Sequence, residues 1–209
     1  MSRATPFLCC WLLLAGLAGC AVLDPGPPMV RVMLPVELPV ADKAEPLPAQ
    51  VLVALPVADA AVDTDRIMAL MHGYELRALD AAKWASPAPV MLQRLLVDSL
   101  DASRRFAGVG REESGLDAAI RLTADIRRFY LRYGEAAGAP VAEFSMALAL
   151  VDSRSDTVFK RTAVSVEQAC AGNSLKDFVA AFSVVVSKGL LLSREWVEKG
   201  VAEHLAAQK

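Results

Sequence analysis

Histidine is scarce, clustered basic charge is missing, and cysteine is confined almost entirely to the first twenty residues of this 209-residue chain. Each absence excludes something. Of four cysteines, Cys9, Cys10 and Cys20 precede any globular segment, leaving Cys170 alone in the folded part, so no intramolecular disulfide framework is expected. Two histidines, His72 and His204, stand in no recognisable metal or nucleophile motif. The balance of 22 basic against 24 acidic residues, without a Lys/Arg block, gives no electrostatic footprint for nucleic acid. Gly-x-Ser-x-Gly, Walker A, His-Glu-x-x-His and Cys-x-x-Cys sequences are all lacking. Gly108-x-Gly110 near Gly115 is spaced wrongly for a dinucleotide fingerprint and reads as a turn.

Apolar residues, by contrast, are abundant: 55% of the chain, with a net charge of only −2 and a mean hydropathy of +0.37. That composition is remote from disorder and supports one packed domain with extensions. Beyond the N-terminus every long apolar stretch alternates or is interrupted by charge, as at Lys188, so no internal membrane-spanning helix is expected.

Residues 1–19 read as a secretory signal: Arg3, an apolar run from Phe7 to Leu17, then small residues. The run closes on Leu17-Ala18-Gly19-Cys20, which resembles the bacterial lipobox. There a small residue precedes the cut, and the cysteine thiol is acylated before becoming the first mature residue. Cys20 is thus the expected lipid attachment site, and Ala21, which is not Asp, directs the protein to the outer membrane under the familiar sorting rule. Two or more acyl chains would hold it firmly there.

Residues 20–49 form the lipidated N-terminus and a tether. Between Ala21 and Gln50 lie seven of the twelve prolines, without helical or alternating pattern, so an extended linker is expected. An ordered arm along the domain is the alternative for Val30–Val40. The domain proper is expected over residues 50–209. It opens with alternating Val51, Val53, Leu55 and Val57, followed by a hairpin, Arg66–Met71 and Tyr74–Leu79, turning at His72-Gly73. A helix starts at Pro87 and Pro89 and carries Leu92, Leu95, Leu96 and Leu100 at helical spacing. Phe106–Gly110 is a short strand candidate. Ile120, Leu122, Ala124 and Ile126 then alternate with Arg121, Thr123, Asp125 and Arg127; Phe144 to Leu150 repeats the pattern; Thr157–Glu167 makes a third strand. A long helix follows Ser174-x-x-Asp177, which resembles a capping box. The expected fold is a two-layer α+β domain, with a predominantly antiparallel sheet and two main helices packed on one face.

Acid/base chemistry has only thin candidates. Asp63/Asp65 and Glu112/Glu113 read better as solvated turn carboxylates, and Cys170 as a buried structural thiol. No catalytic residue, metal ligand or cofactor is expected. Trp84 and the cluster Phe129, Tyr130 and Tyr133 are candidates for partner binding, with packing as the competing role.

The ordered set Val51-Leu-Val-Ala-Leu-Pro-Val, Tyr74-Glu-Leu-Arg, Trp84-Ala-Ser-Pro, Met91 to Leu100 and Arg105-Phe-x-x-Val109 resembles the ABC-type transport auxiliary lipoproteins of the PqiC type. Ser86-Pro-Ala-Pro stands where that family more often has an acidic-proline run. The resemblance implies a non-enzymatic periplasmic subunit, tethered to the outer membrane. It would work beside an MCE-type lipid-binding protein and an inner-membrane permease or related membrane protein in moving lipid or other hydrophobic solutes. Homo-oligomerisation is a further implication. The alternative from a different class is a scaffold or regulatory lipoprotein of an outer-membrane assembly or cell-wall machine, which anchor, tether and small domain suit equally well.

Overall fold

The computed structural model describes residues 29–40, 45–115, 117–135 and 138–208. They form one nine-stranded mixed sheet with two α-helices over it. In chain order the strands are β1 (Val30–Val32), β2 (Leu47–Val53), β3 (Val57–Ala58), β4 (Arg66–Met71), β5 (Glu75–Trp84), β6 (Phe106–Arg111), β7 (Ile120–Arg132), β8 (Val141–Asp152) and β9 (Thr157–Ala169). Helix α1 (Ala88–Ala102) follows β5, and α2 (Leu175–Ala207) ends the fold.

Strand β7 is the spine. On one side it pairs along its length with β8, which pairs in turn with β9, giving the antiparallel meander expected from the alternating residues. On its other side it meets β2, β3 and β4 in succession, all parallel. The β4–β5 hairpin turns through His72, Gly73 and Tyr74 between paired Met71 and Glu75, with positive φ at His72 and Gly73 (52° and 76°), the backbone region that glycine favours. β1 adds to β5 and β6 to β2, again parallel. These non-local parallel pairs make the sheet mixed, while the long ladders remain antiparallel.

Both helices cover the same face. α1 starts at Pro87, where a missing N–H costs nothing, and buries Met91, Leu92, Leu95, Leu96 and Leu100; Gln93, also buried, donates its side-chain N–H to the Val53 carbonyl at 3.0 Å. α2 is closed at its start by the expected capping box: the Asp177 N–H donates to Ser174 Oγ, and the Ser174 N–H to Asp177 Oδ2. It lays Phe178, Phe182, Val185, Val186, Leu190, Val197 and Val201 on β8 and β9. Gly189 sits directly over the Phe144 ring, so an added Cβ would collide with that ring. Gly189→Ala is expected to lower stability by about 1–3 kcal/mol through overpacking. Gly134→Ala, with open space around it, serves as the control in a thermal melt.

Two aspartates link the fold to pH. The Ser174 hydroxyl and N–H hold the Asp177 carboxyl below the ordinary value of 3.8, and the Ser155 and Arg154 N–H groups do the same for Asp152. Groups with depressed folded pKa values stabilise above the unfolded value, and that contribution fades as pH falls through the folded one. The melting temperature is therefore expected to drop below pH 4, with a shallower drop in Asp177→Asn.

Three expectations change. Alternation does not run through to Val57: Pro56 breaks the strand, so Pro56 turns inward, and Leu55 and Val57 are exposed. In β7 the register slips at Arg127, because Ile126 opposes Met146 while Arg128 opposes Ser145. This bulge shifts the inward-facing residues from even to odd numbers, and Phe129 and Leu131 enter the core. Third, ordered structure begins well before residue 50. β2 starts at Leu47, and Val30–Val40 lies along the domain as an arm, with Leu34 buried. Ser183 donates its hydroxyl to the Pro35 carbonyl, and Arg194 Nη1 donates to the Pro39 carbonyl at 2.7 Å.

Candidate functional site

Leu17, Ala18, Gly19 and Cys20 lie outside the described residues. The remaining sequence candidates fall into two groups, two residues buried in the core and two half-buried.

Trp84 and Phe129 are core residues, 1% and 3% exposed, and are unavailable to a partner in the folded state. Their rings lie 5.5 Å apart; Phe182 meets Trp84 edge-on at 5.2 Å and Phe129 at 4.9 Å, and Phe144 meets Phe129 at 6.2 Å. This quartet joins β5, β7, β8 and α2. The candidacy of Trp84 and Phe129 for partner binding is thereby corrected, because unbroken alternation would have left Phe129 on the open face.

Tyr130 and Tyr133 are half-buried. Burial and the neighbouring Glu143 push the Tyr130 phenol above its ordinary range, and burial does the same for Tyr133. Neither titrates near neutrality.

The face of the sheet opposite the helices carries the unassigned surface. At one end Glu143, 3% exposed, accepts from Arg132 Nε and, at 3.4 Å, from Arg128 Nη1; Arg132 Nη2 also reaches Glu167 at 3.2 Å. The hydrogen bond to Glu143 raises the Arg132 pKa further. Two guanidiniums against two carboxylates tie β7, β8 and β9 together, with the inner carboxylate fully engaged. The middle of this face is a shallow groove of about 600 Å³. Its floor is Thr123, Ala147, Ala149 and Ala163, and Leu55, Val57, Arg127 and Arg161 stand around it. Sequence reasoning passed over these residues because alanines on a strand carry no chemical signature, and because Leu55 and Val57 were expected inside.

The candidate acid/base and nucleophilic residues stand apart from one another among the described residues. Asp65 accepts from Lys83 Nζ at 2.6 Å, which holds its carboxyl below the usual range, while Glu112 lies 3.8 Å from Arg121. Cys170 is buried, and that burial pushes its thiol up, away from the reactive thiolate. His204 stacks on Phe159 at 3.9 Å beside Asp152, at the opposite end of β8 from Cys170. Among the described residues no group of three or more His, Cys, Asp or Glu is placed to hold a metal, and no helix is long and apolar enough to cross a membrane.

Comparison with known structures places the fold among bacterial relatives. A protein of Xanthomonas campestris superposes with a TM-score of 0.76 at 24% identity, over 85% of this chain and 98% of its own. A hypothetical protein of Chlamydia trachomatis superposes with a TM-score of 0.55 at 11% identity, over 74% of this chain and 98% of its own. At these identities the likeness is one of fold. No curated protein matches the sequence. A family model does, across residues 33–189, from the arm through the sheet and both helices as far as the glycine packed on Phe144. With most of the arm, strands β2 to β9, α1 and the first part of α2 inside that match, the chain belongs to the family of ABC-type transport auxiliary lipoprotein components.

Proposed function

We propose that this protein is a non-enzymatic, lipid-anchored envelope subunit that holds its domain at the outer membrane through acylated Cys20 and docks the periplasmic part of an MCE-type transporter of lipid or other hydrophobic solutes. Hydrolysis of ATP and passage of the solute belong to partners. Family membership supports the transport role. The observation that carries the docking role is the division of the molecule into two faces. One is spent on the helices and core; the other leaves an open groove floored by small side chains, with Leu55, Val57, Arg127 and Arg161 around it. The lipobox at residues 17–20 supports the anchor. The arm gives the anchor a mechanical consequence: because it is bonded to α2, pull on the N-terminus is transmitted to the sheet and helices rather than to a loose linker.

A clean deletion, with redundant systems also removed, is expected to impair the envelope barrier and lipid traffic while leaving transporter ATPase activity in place. Intact traffic in that strain would contradict the transport reading.

A further inference from the structure

We propose that the tip of the β4–β5 hairpin rests on the lipid headgroup layer, with Tyr74 at the contact, so that this end of the sheet faces the membrane and the β8–β9 turn faces away from it. The inference deepens the reading above and rests on acylation of Cys20.

The argument starts with reach. Ten residue steps separate Cys20 from Val30, and a fully extended chain spans at most about 35 Å over that length. Because β1 is bonded to β5 from Val30 onwards, no further slack is available. The domain is therefore held within that distance of the membrane at a known point on its edge.

Direction comes next. β1 runs parallel to β5, so the chain enters β1 from the side of the β4–β5 turn. Arg31 opposes Lys83, which opposes Arg66, and the turn lies six residues beyond Arg66 along β4, about 20 Å at the usual strand rise. With the hairpin towards the bilayer, the tether spans that gap with length to spare. With the opposite end towards the bilayer, the chain would have to reverse and climb most of β7. Ala69 opposes Leu131, so Arg66 lies level with Arg128, and the start of β7 at Ile120 is about 27 Å further down. The turn at Ser153–Asp156 adds to that span, which nearly exhausts the tether.

Surface chemistry agrees with reach. Tyr74 is 82% exposed in the turn. It is the most exposed large hydrophobic side chain among the described residues, and tyrosine is favoured where an apolar ring and a polar hydroxyl meet headgroups. The chain's other two tyrosines lie in the same half, and Tyr133 donates its N–H to the Leu70 carbonyl at 2.9 Å. The hairpin is locally neutral, because Arg77 Nε donates to Glu75 at 2.7 Å. At the far end the β8–β9 turn reads Asp152-Ser-Arg-Ser-Asp156, a hydrophilic sequence with no apolar or aromatic side chain.

The test uses the full-length lipidated protein in phosphatidylethanolamine/phosphatidylglycerol vesicles containing a headgroup nitroxide lipid. A bimane fluorophore is attached at Tyr74→Cys or, for comparison, at Ser153→Cys; the parent, whose Cys170 is buried, gives the labelling background. Both positions are exposed, so neither change threatens folding. Quenching at Tyr74→Cys is expected to exceed that at Ser153→Cys by several-fold. Vesicle flotation with equal quenching at the two sites, or with stronger quenching at Ser153→Cys, would overturn the proposed orientation while leaving the anchor in place. Failure of the protein to float with the vesicles would overturn the anchor, and the orientation with it.

Discussion

Cys20→Ala is expected to abolish lipid labelling and shift the whole protein from the membrane to the soluble fraction. The size of the effect follows from what else is available to hold it. No described helix is long and apolar enough to cross a bilayer. A hairpin tip with one exposed tyrosine buries far too little apolar area for stable attachment, whereas each acyl CH₂ contributes about 0.8 kcal/mol. One chain binds marginally and two or more bind stably, so removing the thiol removes an all-or-none contribution. Metabolic labelling with a fatty-acid analogue, followed by fractionation, gives the result directly. A wild-type protein that takes up no label would contradict the anchor.

Trp84→Ala is expected to cost about 3–5 kcal/mol, the range for deleting a large aromatic side chain from a packed core. The Trp84 ring is packed from two directions, by Phe182 edge-on at 5.2 Å and by Phe129 at 5.5 Å, while its backbone N–H, which alanine keeps, donates to the Asp65 carbonyl at 2.7 Å. Alanine would leave a cavity where β5, β7 and α2 meet. Since a domain of this size carries roughly 5–15 kcal/mol in all, such a loss takes a large share. It would lower the melting temperature by roughly 6–20 °C. Trp84→Phe should recover part of it. An unchanged melting temperature accompanied by lost partner binding would show instead that the indole faces outward.

Much of this fold was legible because its signals are local. His72-Gly73 marks a hairpin turn, Ser174 and Asp177 mark a helix start, and the even residues from Ile120 to Ile126 mark a half-buried strand. Non-local features were not. A bulge at Arg127 carries no residue signature, yet it decides that Phe129 is core rather than surface. The parallel pairs of β1 with β5 and of β2 with β6 join segments separated by about 50–60 residues, and nothing in either segment names its partner. The arm at Val30–Val40 looks like tether in composition, since its hydrogen-bond donors, Ser183 and Arg194, stand about 150 residues away.

The same reasoning explains the candidate site. Cys20 is legible as the proposed acylation site because acylation demands a residue type at a fixed spacing. The groove has no such signature, because it is defined by shape. Ala147, Ala149 and Ala163 become a floor only when β8 and β9 are in register, and Leu55 becomes a rim residue only once Pro56 has turned the chain.

Crosslinking of the tagged, lipidated protein in living cells, with mass spectrometric identification of what co-purifies from the solubilised envelope, tests the central claim most directly. The account predicts recovery of an MCE-type protein and its permease, with crosslinks reaching the open face of the sheet around Leu55 and Arg161. Recovery of outer-membrane assembly factors or cell-wall enzymes in their place would contradict it and favour a scaffold role.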